Sequence, residues 1–202
     1  MTTQAAELRR TIKQRRRLLD HRVVESCSDN IARTLWRLPE MHRASRIGIY
    51  MAAFGEVSCQ PFIATAWLRG KRIFAPVLRK NALLYAPLSN GTKLSRNRYG
   101  IPEPVHTRRQ LVPPQRLDIV LVPLVAFDSD LNRLGMGGGY YDRSFAFRRR
   151  QRRYRKPRLV GLGYSFQHVS HLHAAPWDVP LDRAVTETET LPPPAHRSSQ
   201  TV

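Results

Sequence analysis

The stretch that decides the fold is "LDIVLVPLVAFDSDLNRLGMGGGYYDR", residues 117–143. It opens with an apolar run from Leu117 to Phe127, typical of a strand in a sheet that is covered on both faces. Four glycines follow within the five positions 135–139, and a helical pattern begins at Tyr140. A strand, a glycine-rich loop and a helix in this order predict a ligand site beyond the carboxyl end of a parallel strand.

The flanking segments alternate between strand and helix patterns. Strands are predicted by the apolar runs at 46–52, 71–77, 81–88, 158–164 and 183–188. Pro76 is expected to stop the strand at 71–77. A long loop is expected at 91–104, after the strand at 81–88. Helices are expected at 59–70, closed by Gly70, and from about 140 to 149. The segments 46–52, 59–70 and 71–77 then form a βαβ unit. We predict an α/β fold with a mostly parallel sheet and helices on both faces.

The chain carries a strongly positive charge, +19 over 202 residues. Most of the excess lies in "LRRTIKQRRRLLD" (8–20) and "FRRRQRRYRKPR" (147–158). The first run belongs to one or two N-terminal helices, the second of which Asp20 is placed to cap. Solvated faces are the favoured interpretation of both runs, and nucleic-acid binding is the alternative, because basic patches attract phosphates of any kind.

Composition limits the classes of protein that remain. At 42% hydrophobic residues, the chain is long enough for one buried core, so a single domain is expected over 1–188 and a disordered tail over 189–202. Cys27 and Cys59 lie far apart and form no zinc-ligand spacing, so neither a disulfide framework nor a structural metal is indicated, and a reducing, cytoplasmic setting is favoured. No run approaches the roughly 20 apolar residues that span a bilayer, and no export signal is expected.

The glycine-rich loop predicts a phosphate site. Glycines permit positive φ angles and lack Cβ atoms, so backbone N–H groups can converge on an anion at the start of the next helix. Asp142 in the first turn is placed to coordinate the Mg²⁺ of a nucleotide, and Arg133 to bind phosphate oxygens. The alternative is a tight turn in which Asp142 only caps its helix, since the loop matches neither of the common nucleotide-binding patterns.

Three further residues are candidates for the site. Arg9 on the first helix is a second phosphate ligand or a solvated side chain, and Glu56 after a strand is a ligand for a polar ring or a helix cap. Asp178 in "WDVPLD" is a second metal ligand or a turn residue. His168, His171 and His173 are spaced poorly for a metal on one helix face.

Taken in order, these pieces resemble the 5-formyltetrahydrofolate cyclo-ligase family, also called methenyltetrahydrofolate synthetase, in its bacterial form. The resemblance rests on five segments in order between Leu8 and Glu187, and these are "GEVSCQPFI", "GKRIFAPVL", "YGIPEP", "VPLVAFDSDLNRLGMGGGYYDR" and "WDVPLDRAVTE". It implies a three-layer α/β/α sandwich related to CoA-transferase and sugar-phosphate isomerase folds. It also implies an ATP- and Mg²⁺-dependent ligase in which the formyl oxygen is phosphorylated, N10 closes the ring, and ADP and phosphate leave.

The resemblance also implies roles for single residues. Catalysis would fall to Arg133, Tyr141 and Asp142, and Mg²⁺ to Asp142 and Asp178. ATP would be held by Arg9, Arg133, Leu134, Gly135, Met136, Gly137, Gly138, Gly139, Tyr140 and Tyr141. The folate would be bound by Met51, Glu56, Tyr99, Met136, Gly137, Gly138, Gly139 and Tyr140. A monomer without a membrane or nucleic-acid partner is expected.

The chain departs from the family pattern near the phosphates. Many members carry a basic residue at the position of Ala5, and some carry one at Met136 or Gly138. The contact between the N-terminal helix and the phosphates is then expected to be weaker or to come from Arg10 or Lys13. Two rival functions are a nucleic-acid-binding protein on a degenerate enzyme fold and a nucleotide-dependent ligase with another acceptor.

Overall fold

The structure is a computed structural model that describes residues 3–150 and 156–192. The helices are α1 (Thr3–Arg17), α2 (His21–Arg37), α3 (Pro39–Arg43), α4 (Gln60–Leu68), α5 (Tyr140–Phe145) and α6 (Phe147–Arg150). The strands are β1 (Arg46–Gly48), β2 (Arg72–Arg79), β3 (Ala82–Leu88), β4 (Leu94–Arg96), β5 (Pro102–Pro104), β6 (Ile119–Pro123), β7 (Ala126–Phe127), β8 (Arg133–Leu134), β9 (Arg158–Leu162), β10 (Arg183–Val185) and β11 (Thr190–Leu191). None of the helices in these ranges is both long and apolar enough to cross a bilayer.

Within the described ranges, seven strands form the central sheet in the order β11-β10-β9-β6-β1-β2-β3. The pairs from β10 to β2 are parallel, and antiparallel β11 and β3 close the two edges. The predicted mostly parallel sheet is therefore confirmed. From β1 the chain moves outward to β2, and from β6 it moves the other way to β9, so the order reverses between β1 and β6. Ligands bind at such a switch point, beyond the carboxyl ends of the strands.

Apolar residues on β6 alternate between two cores, which explains why the strand lacks a polar face. Ile119 and Leu121 pack into the core beneath α2 and α4, whereas Val120 and Val122 pack into the core that contains Phe145 of α5. Successive side chains of a strand point to opposite faces, so both faces of the sheet are covered. This arrangement confirms the three-layer α/β/α architecture.

The predicted βαβ unit is present, with two boundary corrections. Gly70 ends α4 with φ of +67°, as expected, and Asp20 caps α2 through a 2.7 Å bond from the Arg22 backbone N–H. Strand β2, however, continues through Pro76 to Arg79. Pro76 lacks the N–H that a ladder bond would need, but it is tolerated because Tyr85 opposite it on β3 exchanges its backbone bonds with Val112, and β1 pairs with β2 only as far as Phe74. The first strand is shorter than its apolar run and ends at Gly48.

Three other boundaries differ from the sequence prediction. The expected long loop at 91–104 contains the antiparallel pair β4-β5, and the single helix expected after the glycines divides at Ala146 into α5 and α6. The tail predicted to be disordered, 189–202, includes strand β11, because Thr190 and Leu191 pair with Val185 and Ala184. The tail residues 193–202 lie outside the described residues, as do positions 151–155 of the second arginine run.

Candidate functional site

A cavity of about 1220 Å³ opens at the switch point between β1 and β6. It contains every residue that the sequence assigned to the site. These are Arg9, Met51, Glu56, Tyr99, Arg133, Leu134, Gly135, Met136, Gly137, Gly138, Gly139, Tyr140, Tyr141, Asp142 and Asp178. Pockets for one small ligand usually measure ~300–1,000 Å³, and this cavity is larger than that range.

The glycine-rich loop, which we call the glycine loop (residues 133–139), forms one wall. Gly137 and Gly139 have φ angles of +99° and +63°, in the left-handed region that favours glycine. A Cβ atom at Gly138 would lie 3.0 Å from the Tyr140 ring. The loop therefore needs its glycines to bring the backbone past the Tyr140 side chain and into the cavity.

Arg133, at the start of the glycine loop, forms an ion pair with Asp142 in the first turn of α5. The Arg133 Nη2 donates to Asp142 Oδ1 at 2.6 Å, and the Val179 backbone N–H donates to the same oxygen at 3.1 Å. The side chains are 5% and 19% exposed, so water screens the pair weakly. Asp142 thus lines the cavity and is more enclosed than a helix-capping residue would be.

Helix α1 closes the cavity from the N-terminal side. Arg9 Nε donates to the Gly135 carbonyl at 2.8 Å, and its buried Nη1 has no hydrogen-bond partner among the described residues. Burial lowers the pKa of Arg9, and the nearby Asp178 carboxylate opposes that change. A buried guanidinium nitrogen without a partner is the kind of donor that a phosphate oxygen satisfies.

Asp178 lies in a turn at the edge of the cavity. Its Oδ2 accepts from the Ala175 backbone N–H at 2.8 Å, which makes it a turn residue, yet it also lines the cavity. Within the described ranges, neither Asp178 Oδ1 nor Asp142 Oδ2 accepts a hydrogen bond. Each carboxylate therefore keeps one oxygen for a hard cation, and oxygen ligands of this kind suit Mg²⁺.

On the opposite wall, Glu56 lies in the loop that leaves β1. Its Oε2 accepts from the Ala53 backbone N–H at 3.1 Å, and its side chain is only 10% exposed. Burial raises the pKa of the Glu56 carboxyl to about 7, although the Ala53 N–H and the Arg16 guanidinium both lower it. Met51 lines the cavity beside it.

An aromatic group stands at the cavity mouth. Tyr99 is half-exposed, and its ring meets Tyr140 edge to face at 6.2 Å. The Tyr99 and Tyr140 hydroxyls lie 3.0 Å apart, and Arg98 donates to the Tyr140 hydroxyl. The "YGIPEP" segment is anchored by Glu103, whose Oε1 accepts from the Leu78 backbone N–H and from the Asn97 amide. This bonding holds Tyr99 over the cavity.

Sequence reasoning missed three arginines of this region. Arg16, expected on a solvated face, has a side chain with no exposure and lies 3.8 Å from the Glu56 carboxylate. Its position seven residues after Arg9 and four after the buried Ile12 places it on the inner helix face, a signal the charge run concealed. Arg143 and Arg149 also line the cavity, whereas Arg10, expected as a possible substitute at Ala5, is exposed and pairs with Glu7.

The second arginine run was also predicted to be solvated throughout, and this is wrong at its start. Arg148 donates through Nη2 to both oxygens of Asp182, at 2.7 and 2.8 Å, and its side chain is 13% exposed. Asp182 in turn accepts from the Leu159 backbone N–H at 2.6 Å. Arg148 therefore joins α6 to the start of β9.

Within the described ranges, one group of three potential metal ligands lies away from the predicted metal residues. Asp128, Asp130 and His171 bring their ligand atoms within 4.8 Å of one another. Both oxygens of Asp128 already accept bonds from Asn132, and Leu172 donates to one of them as well. The Asp128 carboxylate therefore stabilises the turn before the glycine loop.

Comparison with known proteins agrees with this geometry. The model of the 5-formyltetrahydrofolate cyclo-ligase family matches residues 1–187. The 5-formyltetrahydrofolate cyclo-ligase of Escherichia coli K12 is 34% identical over 181 residues, which cover 88% of this chain and 97% of that protein. The Haemophilus influenzae enzyme of the same name is 34% identical over 184 residues, which cover 89% and 96%.

Solved structures give the same result. The structure of Aquifex aeolicus 5,10-methenyltetrahydrofolate synthetase superposes with a TM-score of 0.80 at 31% identity, covering 98% of this chain and 96% of that one. The 5,10-methenyltetrahydrofolate synthetase of Mycoplasma pneumoniae superposes with a TM-score of 0.71 at 26% identity, covering 91% and 98%. The resemblance seen in the sequence motifs is confirmed, and the chain belongs to the 5-formyltetrahydrofolate cyclo-ligase family.

Proposed function

We propose that this protein converts 5-formyltetrahydrofolate to 5,10-methenyltetrahydrofolate in a reaction that consumes ATP, requires Mg²⁺, and releases ADP and phosphate. The observation that carries the proposal is the convergence of a phosphate-type wall and a ring-binding wall on one cavity. The glycine loop and Arg9 make up the first wall, and Glu56 with Met51 makes up the second. The family relationship supports the same reaction.

The chemistry explains why both walls are needed. An amide-like formyl oxygen is a poor leaving group, so it must first attack the γ-phosphorus, which breaks the bond to ADP. The N10 lone pair then attacks the formyl carbon, N10 loses its proton, and the C–O bond breaks to release phosphate. Both substrates must therefore lie in one site, since a phosphoryl transfer of this kind depends on position and charge neutralisation.

The phosphate side is assigned to the glycine loop and to four cations. Arg9 and Arg133 have buried guanidinium nitrogens without hydrogen-bond partners among the described residues, and Arg143 and Arg149 line the same cavity. Arg143 donates to the Gly138 carbonyl at 2.6 Å, which brings its charge beside the loop. These side chains supply the positive charge that the uncharged Ala5, Met136 and Gly138 do not.

Asp142 and Asp178 are assigned to Mg²⁺, which when bound would neutralise the charge of the phosphates. Each residue keeps one carboxylate oxygen without a hydrogen bond within the described ranges. The Val179 N–H and Arg133 orient Asp142, and the Ala175 N–H orients Asp178. Tyr141 lies between the glycine loop and Asp142, and its burial raises the pKa of the phenol well above its usual value. A phenol with a raised pKa remains protonated and can donate a hydrogen bond to a reacting oxygen.

The folate side is assigned to Glu56, Met51 and Tyr99. The ring of a pterin carries an amide N–H and an amino group on one edge, and a carboxylate accepts from two such donors at once. Tyr99 at the mouth is placed to stack on a flat ring. Nucleic-acid binding finds less support, because a site for a phosphate backbone has no use for Glu56, Asp142 and Asp178 in its cleft.

The experiment that tests the proposal follows the absorbance of the conjugated methenyl product. Purified protein is mixed with 5-formyltetrahydrofolate and Mg²⁺, with and without ATP. Product that forms only with ATP, with one ADP released per product, supports the assignment. ATP binding without product would indicate another acceptor, and salt-sensitive RNA binding without ATP binding would favour the nucleic-acid alternative.

A further inference from the structure

Arg16 occupies an unexpected position for a residue in the run "QRRRLLD". Its side chain has no exposure, whereas its neighbours Arg15 and Arg17 are exposed. Nη1 donates to the Leu124 carbonyl at 3.4 Å and lies 3.8 Å from Glu56 Oε1. Nε and Nη2 are buried and have no hydrogen-bond partner among the described residues.

Packing alone does not account for a guanidinium at this position. Removing the charge from water costs free energy, and an apolar side chain of similar size fills such a space at a lower desolvation cost. The bond to Leu124 is long, and two of the three nitrogens lack partners. The carboxylate of Glu56 is the group that gives the buried charge a function.

Apart from the Ala53 N–H and Arg16, the surroundings of Glu56 contain little that favours its ionised form. The titratable groups near it are the phenols of Tyr50, Tyr141 and Tyr164 and the thiol of Cys59, which come from four different segments. Arg16 is the cation that acts on Glu56 among the described residues. Without Arg16, the carboxylate would face neutral groups and low-dielectric protein on this side.

The backbone around the pair also fixes their relative position. Gly55, directly before Glu56, has φ of +74°, and a Cβ atom there would lie 2.9 Å from the Arg16 carbonyl oxygen. The loop that carries Glu56 is therefore seated on the last turn of α1. Arg9 lies two turns earlier on the same helix and bonds the glycine loop, so α1 contacts both walls of the cavity.

We propose that Arg16 is a positioning residue for the cyclo-ligase reaction, one that holds the Glu56 carboxylate in place and supplies its counter-charge when the pterin ring binds. The inference rests on the proposed function, because it concerns the ring-binding wall of the same cavity. Arg16 does not line the cavity and acts through Glu56. Burial raises the pKa of Glu56 to about 7, and Arg16 lowers it, so loss of Arg16 raises that pKa further.

The test measures binding of 5-formyltetrahydrofolate by calorimetry, without ATP, between pH 6 and pH 9. Arg16→Met and Arg16→Gln both remove the charge, and the amide of the second can still donate to Leu124. Arg17→Met is the matched control, since it removes an exposed arginine from the same turn. We expect Kd at pH 7.5 to rise about tenfold or more in both Arg16 variants, with part of the loss recovered at pH 9, because ionisation of Glu56 then requires a higher pH.

Two more readouts separate positioning from general damage. The KM for ATP should change less than about threefold, and Arg16→Lys should recover part of the folate affinity because it restores a positive charge. Arg16→Gln that is folded and binds folate with the wild-type Kd and pH profile overturns the inference alone. Wild-type protein that neither binds nor converts the folate overturns the proposed function and the inference together.

Discussion

Arg133 and Asp142, which the sequence assigns to phosphate and to metal, are bonded to each other at 2.6 Å in the structure. The pair neutralises two charges that a nucleotide with its cation would otherwise engage separately. On the proposed assignment, Mg²⁺ at the free oxygen of Asp142 would not require this bond to break. The bond would then keep Arg133 and Asp142 oriented for ATP and reduce the ordering cost of binding.

We expect Asp142→Asn to reduce turnover at saturating Mg²⁺ and ATP by about 100-fold or more, the scale at which one electrostatic partner of a transition state contributes. The amide oxygen can still accept from the Val179 N–H, so the fold should persist. Steady-state kinetics and a Mg²⁺ titration measure the effect. Wild-type turnover in this variant would remove Asp142 from the mechanism.

Arg9→Met should raise the KM for ATP by about tenfold while the KM for the folate changes little, because Arg9 contacts the glycine loop and its free nitrogen is available to a phosphate. Arg10→Met serves as control, since Arg10 is 78% exposed and pairs with Glu7 on the helix surface. Equal effects of the two substitutions on the KM for ATP would contradict the assignment of Arg9.

Glu56→Gln should raise the KM for the folate and remove a pH dependence. Burial gives the Glu56 carboxyl a pKa of about 7, so the ionised form that accepts from the pterin increases as pH rises through 7. In the wild type, kcat/KM for the folate should therefore climb between about pH 6 and pH 8. In Glu56→Gln this rise should be absent. An equal loss of ATP affinity in Glu56→Gln would contradict the assignment of Glu56 to the folate.

Much of this site could be predicted from sequence because the relevant residues lie in loops that follow strands of the parallel sheet. Glu56 lies after β1, and the glycine loop lies after β6, so the parallel sheet brings them to one edge without any knowledge of side-chain packing. Strand patterning also predicted β6 and the βαβ unit. Both predictions need only the order of apolar and polar segments along the chain.

Long-range pairing could not be predicted in this way. Arg16 and Arg148 read as members of charge runs, and only the three-dimensional structure shows that Glu56 and Asp182 lie opposite them. The antiparallel pairing of Thr190 with Val185 likewise depends on a turn between them, and the polar composition of this segment had predicted a disordered tail instead. In these places a distant partner, rather than local propensity, determines the conformation.

Gly55→Ala should lower stability by about 1–3 kcal/mol, because a side chain at φ of +74° is strained and its Cβ would meet the Arg16 carbonyl at 2.9 Å. Gly91→Ala is the matched control. It has φ of +82° but open space around the Cβ position, so it should show the backbone strain without the clash. Thermal melts compare the two. A fall in Tm at position 55 no larger than at position 91 would show that α1 yields easily at this contact.

Arg148 and Arg149 are adjacent, yet replacing Arg148 should affect stability and replacing Arg149 should affect the KM for ATP. Arg148→Ala leaves Asp182 with the Leu159 N–H but without its cationic partner and should lower stability by about 1–3 kcal/mol, with the KM for ATP nearly unchanged. Arg149→Ala removes an exposed cation that lines the cavity and should raise the KM for ATP severalfold while Tm stays close to the wild-type value. Thermal melts and ATP kinetics on both variants test the pair. If Arg149→Ala lowers Tm and leaves the KM for ATP unchanged, its bond to the Pro176 carbonyl is its main role, and the phosphate charge must come from Arg9, Arg133 and Arg143.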